Sequence, residues 1–311
     1  MDTRILRTFV TLAATRSFTA AADELHLAQS TVTVHIRSLE KDLGSRLFDR
    51  LPSGAVLTSA GRRLLTEAAA LLDAEARLRA TAAASGEPAG AAVSGEVTVG
   101  AGESLCATRL PGVLAALRRS HPGIDVHLLQ LGTRAAVEAV RAGRVDLALL
   151  MEPEVSEGDL VARRIGEEPV VYLAAAGHPL AGRPVGWEEL AREEFFVHEA
   201  GCVYSDRLVR ALLSLPVPPP RLTRFGGIEA TRACVVAGLG LTVLPRATVE
   251  RDLRAGLLAE VAGPPAEPAP VLLARHRRRW VSPAAAVVAE ALTRGAAGSP
   301  DRGPGDAGAV D

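Results

Sequence analysis

Four side chains that can read base pairs fall on one side of a short apolar helix. Gln29, Ser30, Thr33 and Arg37 repeat at helical spacing, while Val32, Ile36, Leu39 and Leu43 form an apolar stripe on another face of the same stretch. Glutamine pairs at two points with adenine, arginine does so with guanine, and serine or threonine can meet bases or phosphates. The helix N-terminus near Gln29 adds a favourable site for a phosphate. A second chemistry resides in turns that open helices: Gly100-Ala101-Gly102-Glu103-Ser104, Gly132-Thr133 and Gly226-Gly227-Ile228-Glu229. Their free N–H groups and hydroxyls suit a small anion such as an organic acid. Cys202 offers either a pocket wall or a redox sensor, the latter only with a lowered pKa and exposure. The run Arg275-His276-Arg277-Arg278-Arg279-Trp280 follows a late strand and is expected to be a solvated loop rather than a second nucleic-acid patch. No G-x-S-x-G, P-loop, G-x-G-x-x-G after a strand or H-E-x-x-H occurs, so no catalytic residue, cofactor or metal site is expected and the chain reads as a non-enzyme.

The elements that position these residues follow from periodicity. Ile5, Leu6, Phe9, Val10 and Ala13 make one stripe of a helix over 3–16, and Ser17 or Thr19 caps a second over 20–25. His26-Leu27-Ala28 links it to the third helix, 29–43, which stops at Gly44. Ala21, Ala22 and Leu25 let the second and third helices cross closely, which is a helix-turn-helix pattern. Leu47-Phe48 and Val56-Leu57 bracket a Pro52-Ser53-Gly54 turn. Thr58 then caps a long helix to about Ala84, whose leucines a small domain cannot all cover; a helix from a second subunit is the expected partner. Residues 86–94 read as a flexible linker. From Gly95 onward, β-runs at 97–99, 124–131, 145–150, 170–175, 241–243 and 271–274 alternate with helices, including one over 105–119, which predicts parallel sheets. Residues 296–311, polar and rich in Gly and Pro, read as a disordered tail.

Composition narrows the class. Among 311 residues, 48% are apolar and the formal net charge is −1, which excludes a globally basic, histone-like protein and requires a local DNA-binding patch. Three cysteines without a C-x-x-C suit a reducing cytosol, and no run of about 18 apolar residues predicts a membrane span, so a cytoplasmic location is expected.

Residues 1–61 resemble the N-terminal domain of LysR-type transcriptional regulators. The matching stretches include Leu6-Arg7-Thr8-Phe9, Ser17-Phe18-Thr19-Ala20-Ala21-Ala22, Leu25-His26, Gln29-Ser30, Leu39-Glu40, Leu43-Gly44, Leu47-Phe48, Arg50 and Leu57-Thr58 with Ala60-Gly61. The resemblance implies that the third helix enters the major groove, giving Gln29, Ser30, Thr33, Val34 and Arg37 the reading role and Arg50 a backbone or minor-groove role. Val34 stands where the family often has a basic or polar residue, and the wing lacks the usual extra arginines, so weaker phosphate attraction is expected. The remainder resembles the family's effector domain through Leu110-Pro111, His121-Pro122-Gly123, His178-Pro179-Leu180 and Ala237-Gly238-Leu239-Gly240-Leu241. The implied fold class is α/β with an N-terminal α-helical winged helix-turn-helix, a linker helix and a two-lobed effector domain similar to type 2 periplasmic binding proteins. The implied domains are 1–58 for DNA binding, 59–85 for the dimerising linker helix, and 95–295 for the effector domain. Its first lobe covers 95–167 with 268–295 and its second 168–267. Ser104, Leu105, Thr133, Cys202 and Gly227 become the expected effector contacts. The implied partners are double-stranded promoter DNA, a small-molecule effector, further copies in a homodimer or homotetramer, and RNA polymerase, with no membrane. The implied function is effector-controlled transcription regulation. Redox sensing through Cys202 is the alternative, and a solute-binding protein or enzyme on the same lobes a more remote one.

Overall fold

The structure is a computed structural model that describes residues 2–51, 54–86, 93–155, 158–198 and 200–297. Helices α1 (Thr3–Thr15), α2 (Phe18–Glu24) and α3 (Gln29–Leu43) pack over a hairpin of β1 (Phe48–Leu51) and β2 (Gly54–Leu57). Asp2 caps α1 and Ser17 caps α2 by accepting backbone N–H bonds, and α3 ends at Gly44 with a left-handed φ of 62°. Phe9, Leu6, Leu12, Ile36, Leu39 and Leu47 are fully buried here, and Phe9 meets Phe48 edge-on at 5.5 Å. Each such burial contributes about 1.5–3 kcal/mol. The hairpin is held to the bundle by its tip: Ala55 N–H donates to Arg16 O at 2.8 Å, and a Cβ on Gly54 would stand 2.5 Å from that same oxygen.

Helix α4 (Ser59–Gly86) follows, with Thr58 Oγ1 accepting from Gly61 N–H at 3.0 Å. Beyond it the order is β3 (Gly95–Ala101), α5 (Glu103–Thr108), α6 (Leu110–Ser120), β4 (Ile124–Gln130), α7 (Thr133–Arg141), β5 (Leu147–Leu150) and β6 (Leu160–Glu168). There follow β7 (Val170–Ala175), α8 (Trp187–Leu190), β8 (Phe195–His198), α9 (Val203–Leu213), β9 (Leu222–Phe225), α10 (Ile228–Val236) and β10 (Thr242–Pro245). The last elements are α11 (Glu250–Arg254), β11 (Leu258–Val261), β12 (Ala269–His276) and α12 (Pro283–Ala297). One lobe is built on a five-stranded sheet in the order β4-β3-β5-β12-β6, the other on a three-stranded sheet β10-β7-β11 with the pair β8-β9 beside it. The chain crosses between lobes after β6 and again before β12.

The structure differs from the expectations in four respects. The single helix expected over 105–119 is broken at Arg109, because Pro111 sits in the first turn of α6, where its missing N–H does no harm. The sheets are only partly parallel: β3-β4, β3-β5 and β8-β9 are parallel, whereas β7 pairs antiparallel with β10 and β11, and β12 with β5 and β6. Strands β6, β8, β9 and β11 escape the sequence pattern, since three have four residues and the edge strand β6 interleaves charges with apolar residues. The arginine run is solvated only in part: Arg277 and Arg278 are exposed as expected, whereas Arg279 is not. Arg279 donates from Nε and Nη2 to the carboxylate of Asp73 on α4, at 2.6–3.0 Å, and both side chains are largely buried. Most of the expected linker and all but the start of the tail, 87–92 and 298–311, lie outside the described residues, as do Pro52 and Ser53 of the wing.

Candidate nucleic-acid interface and interlobe cleft

Helix α3 divides cleanly by face. Val32, Ile36 and Leu39 are at most 1% exposed, while Gln29, Ser30, Val34 and Arg37 face solvent and Thr33 is half-buried. Thr33 Oγ1 donates back to Gln29 O at 3.1 Å, so its hydroxyl is oriented along the helix. Helix α3 is fixed to its neighbours at its middle and in its last turn. Thr8 Oγ1 lies 2.9 Å from His35 Nδ1, joining α1 to α3. Glu40 Oε1 accepts from the N–H groups of Leu47 at 2.8 Å and Phe48 at 3.3 Å, joining α3 to the wing. Arg50 lies on β1, paired across the hairpin with Ala55. Gln29, Ser30, Thr33, Val34 and Arg37 therefore share a continuous outward surface beside the wing.

Between the lobes lies a cleft of about 1040 Å³. Ser104, Leu105, Thr133 and Cys202 line it together although they come from three distant turns. Gly227 is one residue from the lining Ile228. The N-termini of α5, α7, α9 and α10 are capped by Gly102, Gly132, Cys202 and Gly227, none of which supplies a side-chain cap bond. No N-cap side chain satisfies the first-turn N–H groups of these four helices. Ser104 is 3% exposed and Leu105 belongs to the core of the first lobe, so both shape the wall from within.

Two side chains that sequence reasoning left without a role already use these openings. Glu103 reaches across the cleft, and its Oε2 accepts from Ile228 N–H at 2.9 Å, so a carboxylate of one lobe caps a helix of the other. The carboxyl of Glu152 is pushed above its usual range by burial, against the pull of Arg207 and a hydrogen bond from the Thr133 hydroxyl. Glu103 carried a legible signal, being the first residue of a helix that opens at a Gly; Glu152 did not. Tyr204, also unforeseen, is 4% exposed, and burial drives its hydroxyl well above the normal range. Burial likewise pushes the Cys202 thiol up, the reverse of what a reactive thiolate needs. The loop carrying Cys202 is held by Asp206, which accepts from Gly201 N–H at 2.8 Å and pairs with Arg224. At the first crossover, Arg109 donates twice to Glu168 Oε1, at 2.7 and 3.1 Å, with both side chains at most 10% exposed.

Residues 3–62 match the family described as bacterial regulatory helix-turn-helix protein, lysR family, and residues 90–297 match the LysR substrate binding domain. The chain is 31% identical to the HTH-type transcriptional regulator YwqM of Bacillus subtilis, over 91% of this chain and 95% of that protein. It is 32% identical to the HTH-type transcriptional regulator CfxR of Cupriavidus necator, over 85% and 82% respectively. Among solved structures it is similar to a full-length OxyR from Pseudomonas aeruginosa, with a TM-score of 0.72 and 24% identity over 95% and 94% of the two chains. ArgP from Mycobacterium tuberculosis gives a TM-score of 0.69 at 21% identity, over 96% and 98%. An outward-facing helix-turn-helix, a two-lobed domain around a cleft, and matches to both over nearly the whole length place this chain in the LysR family of DNA-binding transcriptional regulators.

Proposed function

We propose that α3 lies in the major groove of a promoter and that a small anionic molecule, bound between the lobes, controls what the protein does there. The single observation that carries the DNA role is the division of α3: an apolar side sealed at 1% exposure or less and an opposite side that offers Gln29, Ser30, Val34 and Arg37 to a partner. The anionic class is supported by the four helix N-termini around the cleft, and by carboxylates of the protein that already sit at two of them. An entering anion displaces Glu103 from Ile228 N–H and so changes how the lobes are held, which is a differential interaction of the kind a switch requires. The thiol of Cys202 is half-buried and its pKa is raised by desolvation, the wrong direction for oxidant sensing, so it serves here as cleft wall.

The protein acts as a homodimer or a pair of dimers in the cytoplasm, with RNA polymerase as the downstream partner. Leu71 and Leu78 on α4 are 43% and 71% exposed and seven residues apart, the spacing of a helix-helix seam. A two-fold pair presents its reading helices to half-sites about one DNA turn, roughly 34 Å, apart. Footprinting of the full chain on genomic fragments that it selects tests this: protection should fall on paired half-sites at that spacing and change when a screened anion raises the melting temperature. Uniform, sequence-independent protection would defeat the reading.

A further inference from the structure

A second cleft, of about 900 Å³, lies where α1, one side of α4 and the first lobe meet, the lobe contributing α7 and the loop after β12. Seven arginines line it against four carboxylates. Two of the carboxylates are engaged, Asp73 by Arg279 and Asp159 by Arg141. Arg16, Arg77, Arg144, Arg277 and Arg278, drawn from all three parts of the chain, make no ion pair among the described residues. Like charges brought together repel, and a multivalent anion in the cleft relieves that repulsion. Guanidinium forks bind phosphate, like carboxylate, at two points, and the greater charge and extra acceptor oxygens of a phosphate group suit several arginines at once.

The geometry points to a second ligand site in this cleft, one that takes a small phosphate-bearing anion of the pyrophosphate or nucleotide class. Such an anion joins the DNA-binding unit, the linker helix and the effector domain through one set of charges. Of the α4 residues on its wall, Thr66, Ala69, Asp73 and Arg77 lie away from the Leu71 and Leu78 stripe, and only Glu67, one turn before Leu71, borders it, so a partner helix on that stripe meets the cleft at its edge. Helix α7 connects the two clefts: Thr133 at its start lines the first, Arg141 at its end and Glu138 line both.

Titration calorimetry of the full-length protein with sodium pyrophosphate, at fixed ionic strength and with sulfate as control, tests the site. The expected result is one saturable site per chain, weakened at least tenfold by the double substitution Arg144→Gln and Arg278→Gln. The same loss is expected for Arg77→Gln with Arg16→Gln, two surface changes that keep the Arg279–Asp73 pair, while Thr133→Ala leaves binding unchanged. Absence of saturable binding, or binding that survives both double substitutions, overturns the proposal. Loss in Thr133→Ala instead places the anion in the interlobe cleft and overturns it too. So does a loss of duplex DNA affinity in both double variants with pyrophosphate binding intact, because the arginines then serve a DNA backbone.

Discussion

Val34 presents 61% of its surface to solvent, beside Gln29, Ser30 and Arg37 on the outward side of α3. An isopropyl group there suits the C5-methyl of thymine, which projects into the major groove. The methyl contact buries about one methylene's worth of surface, roughly 0.8 kcal/mol or some fourfold in affinity. Replacing single operator thymines by deoxyuridine should thus weaken wild-type binding about fourfold at one position and leave Val34→Ala indifferent there. Equal sensitivity of both proteins would remove Val34 from the reading set. At this scale the sequence was legible where periodicity alone decides orientation, as on α3. It was half-legible in the cleft: the turns carrying Ser104, Thr133 and Cys202 stood out by type, and the fold brings them together. Glu103 stood out as the first residue of a helix, but its partner on the opposite lobe was not readable, nor was the role of Glu152, whose partner Thr133 is distant in sequence.

Among elements, α4 and the first crossover carry the mechanical load. Leu71→Glu with Leu78→Glu should convert the assembly to a chain of 32.4 kDa at micromolar concentration in light scattering, with helicity retained. An unchanged oligomer would show that another face holds the subunits. The crossover pair Arg109–Glu168 is buried, so removing one partner strands the other charge; Glu168→Ala should lower unfolding stability by about 3–5 kcal/mol in urea titration. A loss below about 1 kcal/mol would mean that the pair is solvated in practice. Long helices with capped ends, α1, α3 and α4, were readable from the sequence, since their apolar repeats and Thr58 or Gly44 fix the limits. Short strands such as β8 and β11 were not, because four residues cannot show a period that distinguishes them from a loop or a helix turn.

For the whole molecule, the Asp73–Arg279 pair ties the linker helix to the effector domain, and Glu40 ties the reading helix to its wing. A ligand that alters the lobes can thus reach α3 through packed elements. The two-lobed plan was legible by family resemblance. The docking of the arginine run onto α4 was not, since charge runs usually mark solvated surface. The central proposal is that α3 enters DNA, and Arg37 tests it most directly. Arg37 is exposed, with no ion pair among the described residues, so Arg37→Ala leaves the fold untouched. The measurement is a gel-shift titration of both proteins on a genomic fragment selected by the wild type, beside scrambled DNA of equal length, with circular dichroism of each. The account predicts a loss of about 1–3 kcal/mol, some five- to 150-fold, on the selected fragment, with a much smaller change on scrambled DNA. Unchanged affinity, or an equal loss on both DNAs, would contradict it.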